Sequence, residues 1–144
     1  MRQSFVFPAK FLPEPGGQFS IQFVDLPEAI TSGDSRQDGI VQAVDCLEEA
    51  IAARIADGRE IPVPSAPRRG QVMISLPADM AAKAALYQAI RDTGISSQAL
   101  ARQLRIDQRQ IQRMLDPRHQ TTMPRISKAL AALGHKLVIS VDAA

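Results

Sequence analysis

A chain of 144 residues, 45% hydrophobic and 22% charged, is large enough for one core or two small ones. It has no Trp and one Tyr, which leaves little aromatic surface for stacking on single-stranded nucleic acid, and no apolar run approaches a membrane span. The net charge of +2 conceals a split: residues 1–66 carry five Lys and Arg against ten Asp and Glu, whereas residues 67–144 carry twelve against five. An acidic half (net −5) joined to a basic half (net +7) implies two partners of opposite sign. The basic half suits DNA. The acidic half would be repelled by DNA and drawn to a basic protein.

The start, M-R-Q-S-F-V-F-P-A-K-F, shows no long apolar h-region and so no secretory signal, and a cytoplasmic protein is expected. Phe5, Phe7, Ala9 and Phe11 alternate as a first strand, which Pro8 assigns to an edge or a bulge. A turn at Glu14-Pro15-Gly16-Gly17 leads to Phe19, Ile21 and Phe23, a second strand hairpin-paired to the first. Ala29 to Ser32 can form a short third strand. Ser35-Arg36-Gln37-Asp38 reads as a capping box with Asp in place of Glu. The helix that follows carries Ile40, Val44, Leu47, Ile51 and Ile55 as one apolar stripe, ended by Asp57-Gly58. Cys46 lies within it and reads as a small core or near-core thiol in a reducing compartment. Beyond an extended, proline-rich connector from Ile61 to Pro67, Val72, Ile74 and Leu76 mark a fourth strand. Residues 1–77 are thus expected to form an α+β domain of order β-β-β-α-β, an open sheet with a helix on one face. Residues 78–144 are expected to form an all-α domain with a C-terminal strand.

That second domain opens with a helix from Ala78 to about Asp92, Leu86 and Ile90 facing inward. Ser96 to Asp116 then holds two short helical patterns. Leu100, Ala101 and Leu104 line one face of the first; Ile111, Met114 and Leu115 line one face of the second, and Ile106 plugs the turn between them. This is the sequence shape of a helix-turn-helix, whose second helix enters the DNA major groove. The outer face of that helix keeps Gln108, Arg109, Gln112 and Arg113, side chains whose hydrogen-bonding forks match guanine, adenine or phosphate. The same spacing would also serve an ordinary helical hairpin with a solvated polar face. At the turn, where a positive φ is needed and glycine is usual, the chain has Arg105, at a cost of about 1 kcal/mol. Thr121 or Thr122 can cap a last helix carrying Ile126, Ala129, Leu130 and Leu133, stopped by Gly134. Lys136 to Val141 reads as a final strand without a partner in its own domain, so it is expected to pair between subunits. A homodimer would set two recognition helices roughly 34 Å apart, one turn of DNA. His119 and His135 lack ligand spacing, and no metal or cofactor is expected.

Taken together, F-V-D-L-P-E-A-I-T-S-G-D-S, an amphipathic helix and I-P-V-P-S resemble the N-terminal domain of HicB antitoxins, a partial RNase H-like fold. L-A-R-Q-L-R-I-D-Q-R-Q-I-Q-R-M-L-D-P-R-H-Q-T and K-A-L-A-A-L-G-H-K-L resemble the DNA-binding tail of members of that family. Val24, Glu28 and Ala29 depart from the family's F-P-D-L-P-G-C pattern, while Asp25, Leu26, Pro27, Gly33 and Asp34 stay in register. The resemblance implies a type II antitoxin. Its N-terminal domain would bind and occlude HicA, a small basic toxin that cleaves mRNA, with Asp25, Glu28 and Asp34 as candidate toxin contacts. Its C-terminal domain would repress its own operon. Gln108, Arg109 and Gln112 are candidates for base edges, Arg113 for base or phosphate, and Ser97, Arg102, Arg118 and Thr121 for phosphates.

Two other functional classes fit parts of the sequence. Asp25, Asp34, Asp45 and Glu48 on an RNase H-like domain invite a two-metal nuclease, but the first two lie in turns and the others flank the buried stripe, so a non-enzyme is expected. The alternative is a free-standing repressor whose first domain binds a ligand or only oligomerises.

Overall fold

Aromatic and branched residues at every second position build the sheet. The computed structural model describes residues 2–143. The chain is α+β, with a four-stranded antiparallel sheet and five α-helices among those residues. It divides into two compact units: residues up to Arg54 together with Ile61–Pro77, and Ile55–Glu60 together with the residues from Ala78 onward.

In the first unit, strands β1 (Val6–Pro13), β2 (Phe19–Phe23), β3 (Ile30–Gly33) and β4 (Gln71–Ser75) lie in the order β3-β2-β1-β4. Phe7 pairs with Ile74, Ala9 with Phe23 and Phe11 with Ile21. Cross-strand partners share a face, and all of these side chains are buried. The expectation that Pro8 puts β1 at an edge or on a bulge is corrected: β1 is an inner strand, paired on both sides. In an antiparallel ladder a residue's N–H and C=O point to the same neighbour. The Pro8 carbonyl accepts the Val24 N–H at 3.0 Å, so its missing donor faces the β2 side, one residue beyond the last β1–β2 pair, Ala9 with Phe23. The β4 ladder therefore loses no bond.

Helix α1 spans Arg36–Ala56. The Ser35 hydroxyl accepts the Asp38 N–H at 3.0 Å, and the Asp38 carboxylate accepts the Asp34 N–H at 2.9 Å. This is the reciprocal logic of a capping box, the return bond reaching one residue further back. Ala43, Leu47, Ala50, Ile51 and Ile55 are buried along it, but Ile40, expected in that stripe, is 38% exposed. Gly39 takes the inward place instead. A Cβ on Gly39 would lie 3.0 Å from the Phe11 ring and 3.1 Å from Ile21, and a Cβ on Gly33 would lie 2.4 Å from Gly39 N and Cα. So close an approach needs two glycines, and it turns Ile40, about 100° further round the helix, toward solvent.

The second unit holds α2 (Ala78–Thr93), α3 (Ser97–Leu104), α4 (Gln108–Leu115) and α5 (Met123–Ala132). Ala82, Leu86, Ala89, Met114, Ile126, Ala129 and Leu130 form one buried cluster; Leu100, Ala101 and Ile111 form a second, and Leu104 and Ile106 pack against both. Tyr87 donates to the Arg59 carbonyl at 2.8 Å and Arg91 to the Gly58 carbonyl at 2.6 Å, fastening Ile55–Glu60 to α2. Lys136 to Val141, expected to pair only between subunits, forms no strand within the single chain: residues 135–143 carry no regular structure. A strand needs a ladder, and among the described residues every strand belongs to the first unit. Leu137 packs against the first cluster, while Val138, Ile139 and Val141 stay exposed.

Candidate functional site

Helices α3 and α4 each bury two side chains fully, with Leu104 and Leu115 packed beside them. Ser96 starts α3, its hydroxyl accepting the Ala99 N–H at 3.0 Å. Arg105 ends it in the left-handed region, φ 56° and ψ 45°, as the turn required. From there the Arg105 N–H reaches the Arg102 carbonyl at 3.3 Å and the Ile106 N–H reaches the Ala101 carbonyl at 3.0 Å. This is a Schellman ending with arginine in the glycine position, and Ile106 packs back on the Leu100 cluster as such endings do. The two end bonds and that contact offset the cost of a positive φ at a residue with a Cβ.

One residue after Ile106, Asp107 caps α4, its carboxylate accepting the Arg109 N–H at 2.8 Å. Ile111 and Met114 are buried beneath the helix, which leaves Gln108, Arg109, Gln112 and Arg113 together on its exposed outer face. On α3, Ser97 is half-buried and Arg102 exposed. In the loop after α4, Arg118 is almost wholly exposed; its N–H donates to the Asp116 carboxylate at 2.9 Å and its guanidinium lies 3.6 Å from the same group. That N–H, with the neighbouring Arg118 charge, holds the Asp116 carboxyl below the usual carboxylate range. Thr122, not Thr121, occupies the α5 cap position, without a side-chain bond to the helix.

Thr121 is engaged elsewhere, by a residue the sequence reading passed over. Lys83 on α2 is 4% exposed, and its ammonium donates to the Met114 carbonyl at 3.0 Å, the Thr121 hydroxyl at 3.1 Å and the Arg113 carbonyl at 3.4 Å. Burial pushes its pKa down, while Asp116 and Asp79 pull it back up. The signal was present: Lys83, Leu86 and Ile90 stand at i, i+3 and i+7 on one helix face.

The acidic candidates of the first unit are differently placed. Asp25 accepts the Ser65 N–H at 2.8 Å and also the Ser65 hydroxyl, tying the proline-rich connector to the turn after β2. Glu28 takes an ion pair from Arg54. Asp34 is exposed just before α1, its backbone N–H held by Asp38. Cys46 is half-buried, and burial, with Glu49 nearby, pushes its thiol pKa up, which disfavours the nucleophilic thiolate. Among the described residues no group of three or more His, Cys, Asp or Glu side chains is arranged to hold a metal ion, and no helix is long and apolar enough to cross a membrane.

Comparison with known proteins identifies the family. A family model described as HicB-like antitoxin of bacterial toxin–antitoxin systems matches residues 6–85. Antitoxin HicB 2 of Photorhabdus laumondii is 36% identical over 137 residues, covering 95% of this chain and 96% of the relative. Antitoxin HicB of Pseudomonas fluorescens is 31% identical over 146 residues and 100% of both chains. Antitoxin HicB of Escherichia coli is 31% identical over 131 residues, 91% of this chain and 95% of the relative. The chain belongs to the HicB-like antitoxins of bacterial toxin–antitoxin systems.

Proposed function

We propose that this antitoxin works through two surfaces, one for a toxin and one for DNA. The first unit, a partial RNase H-like domain, binds a small basic HicA-like mRNA-cleaving toxin and covers its RNA-binding surface. The second unit represses the antitoxin's own operon through α3 and α4, acting as a helix-turn-helix. The observation that carries the reading is the α3–α4 pair itself: a three-residue turn with Arg105 at positive φ, Ile111 and Met114 buried, and Gln108, Arg109, Gln112 and Arg113 exposed in one row. Two buried anchors and four outward hydrogen-bonding forks are what a helix seated in the major groove needs.

On this reading Gln108, Arg109 and Gln112 meet base edges, Arg113 a base or a phosphate, and Ser97, Arg102, Arg118 and Thr121 phosphates. The segment Lys136 to Val141, with Val138, Ile139 and Val141 exposed, pairs with its counterpart in a second copy, giving a homodimer whose two α4 helices meet successive major grooves. The net charge of −5 over residues 1–66 draws in the basic toxin and speeds encounter. Asp34 is the best placed of the acidic candidates, because Asp25 and Glu28 hold internal partners. The test is binding to the DNA upstream of its own gene against an unrelated duplex. Arg109→Ala should relax the preference, whereas Arg102→Ala should weaken both duplexes alike and flatten the salt slope by about one unit. Lost preference from Arg102→Ala alone would sink these assignments.

A further inference from the structure

The two helices of the α3–α4 pair end in different ways. At the end of α3 the Ala101 and Arg102 carbonyls are taken by the backbone N–H groups of Ile106 and Arg105. At the end of α4 the same solution is closed: Asp116 is extended, φ −74° and ψ 116°, and Pro117 has no N–H to give. The Asp116 N–H covers Gln112 and Arg113. The Met114 carbonyl is taken by a side chain from another helix, Lys83.

We infer that Lys83 is a positioning residue for α4, its buried ammonium anchoring the Met114 and Arg113 carbonyls and the Thr121 hydroxyl so that α4 presents its outer row at a fixed angle. The inference rests on the reading of α4 as the recognition helix. An eight-residue helix has little stability of its own, so its direction is set by what holds its ends and its buried face. A cation at a helix C-terminus is favoured by the helix dipole, and a buried one is tolerated only when its donors are used. The three N–H groups of Lys83 have three acceptors. The third acceptor matters for DNA. A hydroxyl oxygen that accepts from an ammonium keeps its own proton for another acceptor. Lys83 therefore leaves the half-buried Thr121 hydroxyl free to act as a donor, the polarity a phosphate oxygen requires.

The experiment uses the full chain as wild type, Lys83→Met and Thr121→Val, measured on the upstream DNA and on an unrelated duplex, with amide hydrogen exchange of the free proteins. Lys83→Met should lose about ten-fold or more of the preference for upstream DNA. Exchange should quicken in the last turn of α4 while α2 and α5 keep wild-type rates. Thr121→Val, which spares both carbonyl bonds, should weaken both duplexes a few-fold and leave the preference between them in place. A Lys83→Met chain that is less stable yet keeps the wild-type preference would overturn the proposal, as would exchange that quickens evenly over the unit. Should Lys83→Met fail to fold, Lys83→Gln, which removes the ammonium but keeps a polar group, replaces it, and an unchanged preference for upstream DNA in that variant overturns the orienting role. A wild type without preference for upstream DNA overturns the recognition-helix reading and this proposal with it, and the wild-type measurement alone distinguishes that failure.

Discussion

Arg54 grips Glu28 with two prongs, Nε to Oε2 at 2.6 Å and Nη2 to Oε1 at 2.9 Å. An acidic side chain that composition offers to a basic partner is thereby part of the first unit's own framework. Asp34 carries no such tie through its carboxylate in the hydrogen bonds that define the start of α1. The two residues should separate in experiment. Glu28→Gln is expected to lower stability by about 1 kcal/mol, as is normal for a partly exposed two-pronged pair, read as a shift of the urea midpoint. Asp34→Asn should leave the midpoint in place and instead slow association with the basic partner, most strongly at low salt.

The contact between Gly33 and Gly39 gives a harsher outcome. A methyl group on Gly33 would lie 2.4 Å from backbone atoms of Gly39, which no side-chain rotation relieves. Gly33→Ala should cost about 1–3 kcal/mol, the range for forcing an extra carbon into a packed site. A urea midpoint equal to wild type would mean that β3 and α1 can part without loss.

Arg105→Gly should go the other way. Glycine takes φ 56° without a Cβ clash but orders a more flexible unfolded chain, so the net gain is expected at about 0.5–1 kcal/mol. Thermal unfolding reads it directly, and a lower melting temperature would show that the Arg105 side chain contributes more than its backbone strain costs.

The pKa of Lys83 carries a pH dependence of definite sign. Burial lowers it in the folded chain, against the pull of Asp116 and Asp79. The folded chain therefore releases this proton before the unfolded chain does. Stability from this group rises with pH between the lowered value and the ordinary lysine value of about 10.4, and below that window the burial penalty is present in full. The stability difference between wild type and Lys83→Met should move in favour of wild type as pH climbs through the alkaline range. A difference that stays flat there would contradict the lowered pKa.

Much of the fold was legible because periodicity reports burial directly: Phe19, Ile21 and Phe23 alternate as β2 does, and Leu100, Ala101, Ile111 and Met114 lie on the buried faces that their spacing required. Local chemistry was legible too, in the Ser35–Asp38 cap and the positive φ of Arg105. What escaped depends on contacts distant in sequence. Pro8 reads as an edge residue until the end of β2 is known to lie opposite its missing donor. Ile40 reads as core until the Gly33–Gly39 approach shows how the helix is rotated. Lys83 shares the face of Leu86 and Ile90, but the carbonyls it serves lie some thirty residues further along the chain, so nothing local in the sequence names its partners. The acidic candidates follow from the family resemblance and their charge, neither of which reveals that Arg54 and Ser65 already engage two of them.

The most direct measurement of the antitoxin role is co-expression with the small basic reading frame beside its gene, followed by a growth assay and size exclusion. Growth arrest when this chain is omitted, relieved by a stable complex when it is present, is the expected result. No complex and no toxicity would contradict it.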